Sequence, residues 1–323
     1  MSNTVKERVV VPSQTTELDD SPPSHCIFDE PWWLDAVAPG RWAAAEVRKG
    51  DQLVARMPYV TRRKYGQTFI INPELTPTLG PWFKSSNVKY AKRLGEEKEL
   101  IASLLAQLPP HAYCSIACHP SITNVLPFHW AGFRLRVRYT YTIPDLSDRD
   151  RIWTGLLTNV RGYIRKAKKH VVVRDDLGLD KFVETYEKTF LRQGRKLPFS
   201  RVLLERLDDA LARQGQRRIF FAVDAREHVH AVVYLVWDNR AAYHLMAGGD
   251  PELRSSGAAS LLAWQAIQHA ATVSKVFDFE GSMIEPIERF FRAFGAIQRP
   301  YYKVTRATNF FMKVAMAARE IVR

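Results

Sequence analysis

The chain is poor in cysteine and in long apolar runs, and each shortage argues against a class of protein. Its three cysteines, Cys26, Cys114 and Cys118, are an odd number, and no Cys/His set has zinc-site spacing. A disulfide framework and a metal site are therefore not indicated. No apolar run is long enough for a membrane-spanning helix, and the first residues lack a signal-peptide pattern. We expect a reduced, cytoplasmic protein without a metal.

Acidic residues are also scarce relative to basic ones. Asp and Glu number 34 against 47 Lys and Arg, which gives a net charge of +13. This excess favours an anionic partner such as nucleic acid, anionic lipid, a nucleotide-linked substrate or a coenzyme phosphate. A basic solvated surface without a specific partner is the alternative. The length of 323 residues favours two structural units, and eight tryptophans indicate substantial cores.

The order of the predicted elements repeats along the chain. Residues 1–24 are polar and are predicted to be a disordered tail. Residues 25–146 and 147–306 each carry a hairpin, a strand, a helix, a strand, a short helix and a strand. A long helix over residues 151–170 opens the second half, and an amphipathic helix over 307–323 ends the chain. The order predicts a mixed α/β (α+β) sheet with helices on both faces in each half.

A loop of small residues lies between a predicted strand and a predicted helix in the second half. It reads Arg254, Ser255, Ser256, Gly257, Ala258 and Ala259. Backbone N–H groups and the positive end of the helix dipole would meet there, which suits a pyrophosphate. The alternative is a tight turn whose small residues allow close packing of the helix on the sheet.

This loop and the element order resemble the GNAT N-acyltransferase fold, in which an Arg/Gln-x-x-Gly-x-Gly/Ala loop holds the coenzyme A pyrophosphate. The segments 161–169, 277–282 and 290–296 are similar to the FemAB-like and BioF2-like branch. The resemblance covers roughly residues 28–306. It implies two GNAT-like domains in tandem, each with a mixed, mostly antiparallel sheet, and a donor site in the second domain.

Acyl transfer to an amine needs a base for the amine proton and an acid for the leaving group. Asp278 and Glu280 are two residues apart on a predicted strand, so they would share one face. We predict that they line a cleft as catalytic groups; pairing with Arg or Lys is the alternative. The resemblance to GNAT enzymes implies a tyrosine that protonates the leaving thiolate, and we predict Tyr301 in this role. By alternation only one of Tyr301 and Tyr302 can face the cleft, and a packed aromatic is the alternative. By the same alternation Tyr243 faces the substrate, and the adjacent histidine is expected to be a satisfied core residue.

Basic residues at helical spacing form a predicted binding face for a phosphate of the acceptor or the donor. They are Arg161, Arg165, Lys166 and Lys169. A solvated charged face is the alternative. Ser282 and Arg292 complete the predicted substrate-binding set. The lysine of a Phe-Lys pair in Fem aminoacyltransferases is replaced by Phe291, with Arg292 one step later.

The sequence therefore predicts an N-acyltransferase that uses acyl-CoA, such as acetyl-CoA, and a small-molecule, saccharide or nucleotide-linked amine acceptor, with no metal. An aminoacyl-tRNA-dependent FemAB-like aminoacyltransferase is the first alternative; the charge favours it and Phe291 counts against it. A non-catalytic GNAT-like binding protein, including a nucleic-acid binder, is the second. The C-terminal helix is predicted to dock on the domain or a dimer partner, with weak membrane-surface contact as the alternative.

Overall fold

The computed structural model describes residues 24–192, 194–309 and 312, and its strands form one continuous mixed sheet. The strands in this part of the chain are β1 (Trp42–Lys49), β2 (Gln52–Lys64), β3 (Gln67–Ile71), β4 (Trp82–Phe83), β5 (Tyr113–Ala117), β6 (Arg134–Ile143), β7 (Val171–Arg174), β8 (Arg217–Asp224), β9 (Val229–Trp237), β10 (Ala241–Gly249), β11 (Val276–Asp278) and β12 (Ile297–Ala307). The sheet order is β1-β2-β3-β5-β12-β6-β11-β10-β9-β8-β7, with β4 beside β2.

Helices cover the sheet and are packed through their apolar faces. Those in the described residues are α1 (Pro31–Val37), α2 (Tyr90–Ala106), α3 (Leu126–Trp130), α4 (Arg149–Gly155), α5 (Thr158–Ala167), α6 (Gly178–Leu191), α7 (Arg201–Gln214), α8 (Ala258–Val273) and α9 (Glu285–Arg292). The two ends of α7 are set by its capping residues. Ser200 Oγ accepts the Leu203 amide at 3.2 Å at the start, and Gly215, in the left-handed backbone conformation, ends the helix. Within the described chain, no helix has the length and apolarity that a membrane crossing requires.

The last strand of each half lies beside strands of the other half. β12 pairs with β5 and β6 of the first half, and β6 pairs with β11 of the second. The predicted mixed α/β fold is confirmed. The predicted boundary at residues 146 and 147 falls within a sheet that both halves build together, because β6 and β12 are exchanged.

An opening separates β10 from the chain that follows β11. The two strands are paired in parallel only from Ala241 and Val276 to Tyr243 and Asp278. β10 continues to Gly249, while the residue after β11 bonds to β6 instead. The strands therefore diverge at the end of the sheet where β10 leads into α8.

The equivalent opening in the first half is closed by the chain itself. β3 and β5 are also paired in parallel. The Leu79 amide then donates to the Ala117 carbonyl at 2.8 Å, and the Leu79 carbonyl accepts from the His119 amide at 2.9 Å. The proline-rich loop over residues 72–82 thus fills this space. Within the described residues, no backbone bond of this kind crosses the opening between β10 and β11.

The prediction of one helix over residues 151–170 is wrong, because the segment is split into α4 and α5. Leu156 and Leu157 between them are extended, with ψ values of 140° and 148°. The Leu157 amide donates to the Ala293 carbonyl at 3.0 Å, at the end of α9. A tertiary contact therefore interrupts a segment whose local spacing is helical.

The segment over residues 24–30 forms hydrogen bonds with both halves of the chain. The Ile27 amide donates to Asp238 Oδ2 at 2.9 Å, in the second half. A guanidinium nitrogen of Arg56, in the first half, donates to the Asp29 carbonyl at 3.2 Å. These buried bonds hold the first half against the strands that border the opening.

Two predicted terminal segments lie mostly outside the described residues. They are residues 1–23 of the predicted disordered tail and most of the predicted C-terminal helix, with its docking or membrane contact. Ser24, the last residue of the predicted tail, is described and is buried.

Candidate active site

Two carboxylates lie at the end of β11, beside the opening. Asp278 Oδ1 accepts hydrogen bonds from Thr140 Oγ1 and from the Glu280 amide, the latter at 2.8 Å. Glu280 has a left-handed φ of 64° and is outside the strand. Gly281 must be glycine, since a Cβ there would lie 2.1 Å from the Tyr139 carbonyl oxygen. The Asp278 carboxylate therefore closes an Asx-type turn onto the Glu280 amide, and the prediction that both residues lie on one strand is wrong, because β11 ends at Asp278.

Among the described residues, no lysine or arginine forms an ion pair with either of these carboxylates. Burial raises the pKa of Asp278 to about 6, and the hydrogen bonds from Thr140 and the Glu280 amide limit the rise. Burial, followed by the charge of Asp278, raises the pKa of Glu280. Pairing with Arg or Lys, the alternative considered from the sequence, is not found among the described residues. Such an uncompensated pair is typical of sites where a proton is exchanged.

A tyrosine and an arginine from the exchanged strands lie opposite each other near the carboxylates. Arg138 Nε on β6 donates to the Tyr301 hydroxyl on β12 at 3.2 Å. Burial raises the pKa of Tyr301; Arg138 opposes the rise, and the charges of Glu280 and Asp278 add to it. The phenol therefore carries its proton at neutral pH. Tyr243 is buried and is the register partner of Asp278 in the neighbouring strand.

The loop Arg254–Ala259 is a 3₁₀ turn followed by the N-terminus of α8. Ser256 Oγ accepts the Ala258 amide at 3.3 Å, and the following amides of a first helical turn have no intrahelical acceptor. Gly257 has a φ of 81°, and a Cβ there would lie 2.5 Å from the Tyr163 carbonyl oxygen on α5. The glycine thus has a packing reason, and the predicted anion site at the first-turn amides of α8 stays a prediction.

The predicted basic face has several local roles. Arg161 donates to a carbonyl at the end of α4 at 2.8 Å, and the Arg165 guanidinium lies over a tryptophan ring of that helix, 5.9 Å from its centroid. Lys166 Nζ donates to the Ser255 carbonyl at 2.8 Å, whereas Lys169 is exposed beyond the end of α5. Among these four residues, Lys166 bonds to the loop Arg254–Ala259, which is the predicted donor loop.

Two other predicted substrate-binding residues have local partners. Arg292 pairs with Glu288 at 3.0 Å, and Glu288 accepts the Tyr141 hydroxyl at 2.7 Å. Ser282 Oγ accepts the Ile284 amide at 3.0 Å, just before α9. These bonds stabilise the turn and the helix that follow β11.

The position aligned with the Fem lysine belongs to an aromatic core. Phe291 is 7% exposed and stacks on Phe279, with ring centroids 4.9 Å apart. The His244 ring contacts both rings, at 5.8 and 6.2 Å. The expectation that His244 is a satisfied core residue is wrong, because its buried Nε2 has no partner in the described chain. Burial lowers its pKa to about 4, so the ring is neutral.

The sequence analysis missed Arg138 and Thr140, which belong to the first half. One face of β6 carries Arg134, Arg136, Arg138, Thr140 and Thr142. This polar alternation is visible in the sequence, but it does not reveal that β6 lies next to β11. His230, at the start of β9, was also missed; it lines a cleft beside the donor loop.

Comparison with known proteins gives one family match and several shared folds. Residues 156–282 match the family model described as an acetyltransferase (GNAT) domain. The structure of FemX has a TM-score of 0.65 at 14% identity, covering 86% of this chain and 91% of that one. The C-terminal domain of a putative lysylphosphatidylglycerol synthetase from Agrobacterium fabrum has a TM-score of 0.53 at 11% identity, covering 88% and 89%. No curated protein sequence matches the chain.

The matched domain contains the donor loop, both carboxylates and Ser282. The structural likeness is one of fold, at identities too low to carry substrates across. The predicted GNAT domain is confirmed over residues 156–282, and the chain shares its overall fold with FemX.

Proposed function

We propose that the protein is an acyltransferase that moves an acyl group, such as acetyl, from acyl-CoA to an amine, and the GNAT acetyltransferase match over residues 156–282 supports this. The acceptor is a small molecule or a saccharide or other cell-envelope component. The opening between β10 and β11 carries this proposal. The start of α8, where an anion would bind, lies at its mouth. At its edge lie two carboxylates that have no cationic partner among the described residues.

The donor phosphates would bind at Arg254–Ala259. The first-turn amides of α8 supply N–H donors, and Arg254 adds a charge-assisted bond. Lys166, bonded to the Ser255 carbonyl, adds positive charge at the loop. The acyl chain would then extend along β10 toward Asp278, because β10 leads directly from this loop to the carboxylates.

The carboxylates and Tyr301 would handle the protons of the reaction. Asp278 accepts the proton of the incoming ammonium group, which frees the nitrogen lone pair to attack the thioester carbonyl. The carbon–sulfur bond breaks as the amide forms, and Tyr301 donates its proton to the leaving thiolate. The second proton lost by the nitrogen then returns Tyr301 to its neutral form. Glu280, whose pKa is also raised, stays protonated to a higher pH than an ordinary glutamate. It titrates together with Asp278 as a coupled pair.

The activity is expected to fall at acid pH because Asp278 must be ionised to act as a base. Its pKa of about 6 lies above its ordinary value, so the base form is lost as the pH falls through 6. We expect kcat/KM to drop about tenfold per pH unit below that point. A pH–rate profile between pH 4.5 and 8 tests this. The assignment fails if Asp278→Asn keeps the same acidic limb.

Binding of acetyl-CoA, measured by calorimetry, tests the donor site. Arg254→Ala is expected to weaken binding about tenfold through loss of one charge-assisted bond. Arg213→Ala, which removes an exposed arginine from α7, is the matched control and should bind like the wild type. Absence of heat with several acyl-CoAs contradicts the proposal, as does binding that Arg254→Ala leaves unchanged.

Aminoacyl transfer from a charged tRNA is the second candidate. The FemX fold and the net charge of +13 support it, whereas Phe291 in the lysine position argues against it. Binding to charged tRNA that weakens steeply with salt, with transfer of labelled amino acid, would favour this donor. Acetyl transfer without tRNA would exclude the need for it.

A further inference from the structure

A cleft of about 190 Å³ lies at the N-terminus of α8, and a buried histidine lines it. Other residues of its wall include Thr189, Arg192, Gly249, Arg254 and Ser256. His230 is 8% exposed, and its Nδ1 is buried without a hydrogen-bond partner in the described chain. Buried polar atoms are normally paired, so this nitrogen calls for a ligand.

The other ring nitrogen of His230 has a defined partner. Nε2 lies 3.2 Å from Asp224 Oδ2, and Asp224 Oδ1 accepts the amides of Arg226 and His228, both at 2.9 Å. Burial works to raise the pKa of Asp224, but the hydrogen bonds from the His228 amide and the His230 ring outweigh it and hold that pKa well below its usual range. An ionised carboxylate only accepts, so Nε2 carries a hydrogen and Nδ1 is the edge left for a ligand.

Charged groups of both signs surround the ring. The acids are Asp224 and Asp250; the cations and the second histidine are Lys188, Arg192, Arg254 and His228. The Asp250 amide donates to the His230 carbonyl at 3.1 Å, and Lys188 neutralises Asp250 at 2.7 Å. Asp224 is therefore the acid that acts on the ring without a lysine or arginine partner in the described residues.

We propose that His230 is a further donor-binding residue: its Nδ1 takes up a proton from solvent and donates it to a phosphate oxygen of the donor. The imidazolium then bridges Asp224 and the phosphate. The inference rests on the proposed function in placing an anionic donor at Arg254–Ala259. His230 adds a buried side chain that binds the phosphate, besides the N-terminus of α8 and Arg254. Binding of the donor therefore takes up a proton.

The bridge explains why a histidine lies here instead of a lysine or arginine. Asp224 stabilises the charged ring once an anion fills the cleft, whereas the empty cleft needs no buried positive charge. Because binding takes up a proton, the donor is expected to bind more tightly as the pH falls.

Calorimetry with acetyl-CoA and with inorganic pyrophosphate, in two buffers of different ionisation enthalpy, tests the proposal. Wild-type binding should take up part of a proton near pH 7. His230→Gln should bind about tenfold to a hundredfold more weakly and lose that uptake, as expected for a charge-assisted bond. His228→Gln is the matched control, because His228 Nδ1 bonds the same carboxylate oxygen at 3.2 Å but the side chain is 57% exposed. It should retain affinity and uptake.

The two ligands separate failure of the inference from failure of the proposed function. Pyrophosphate binding that depends on His230, without acetyl-CoA binding, supports the inference and contradicts the acyl-CoA donor. Acetyl-CoA binding without proton uptake, unchanged by His230→Gln, overturns the inference and leaves the donor intact. Binding of neither ligand overturns both. The proton uptake on binding is measured with the wild-type protein. The test therefore stays decisive even if the His230→Gln protein folds poorly.

Discussion

Asp278→Asn is expected to lower kcat for acyl transfer by about 100-fold to 10,000-fold, the usual range for loss of a positioned base. The asparagine carbonyl still accepts the bonds from Thr140 and the Glu280 amide, so the turn is retained. The affinity for acetyl-CoA should be unchanged, because Asp278 is at the end of the opening opposite the phosphate loop. Thiol release from acetyl-CoA, with the best acceptor from a panel of amines, measures the effect.

Two further variants make this result interpretable. Glu205→Gln removes an exposed carboxylate that pairs with Arg201 on α7, and it should retain wild-type kcat. Glu280→Gln tests the other member of the pair. If it alone causes the large loss, the roles of the two carboxylates are reversed. An Asp278→Asn enzyme within threefold of the wild type would falsify the catalytic assignment.

Gly257→Ala is expected to disrupt the donor loop more severely than any single charge removal there. The new Cβ would lie 2.5 Å from the Tyr163 carbonyl oxygen, and its φ of 81° is unfavourable for alanine. We expect a loss of about 2 kcal/mol in stability from the backbone conformation and the contact together. The substitution should also move the start of α8 away from α5, so that its first-turn amides no longer point at the phosphates. We therefore expect acetyl-CoA binding to weaken by at least about tenfold.

Gly162→Ala, one residue from the contacted Tyr163, is the matched control for this substitution. It lies inside α5, where an added Cβ meets nothing within 4 Å. Helix propensity alone should make it neutral or more stable by up to about 1 kcal/mol. Thermal unfolding and calorimetry of both variants are the measurements. Equal melting temperatures and affinities for the two would contradict the packing argument.

The exchange of β6 and β12 has a consequence for the site. Thr140 and Arg138 come from the first half, while Asp278 and Glu280 come from the second. The second half alone therefore lacks the hydroxyl that bonds Asp278 and the guanidinium that bonds Tyr301. The first half, whose own opening is filled by residues 72–82, contributes a strand to the site and no second opening.

Most local elements were predictable because they depend on near neighbours in the chain. β6 and α7 depend on such local signals: side chains alternate along β6, and Ser200 and Gly215 bound α7. The donor loop was predictable for the same reason, since a strand end, small residues and a helix start are consecutive. The split between α4 and α5 was not, because its cause is a bond to Ala293.

The site divides in the same way. The sequence by itself determined the residue types, the tandem order, the loop at Arg254–Ala259 and the proximity of Asp278 to Glu280, all of which are set within a few residues. Only the tertiary structure decided that Arg138 and Thr140 lie beside these carboxylates, that no lysine or arginine of the described residues pairs with them, and that His230, which lines the cleft, has a buried ring nitrogen without a partner among the described residues. These depend on which strands are neighbours in the sheet and on burial, and both arise from packing across the whole chain.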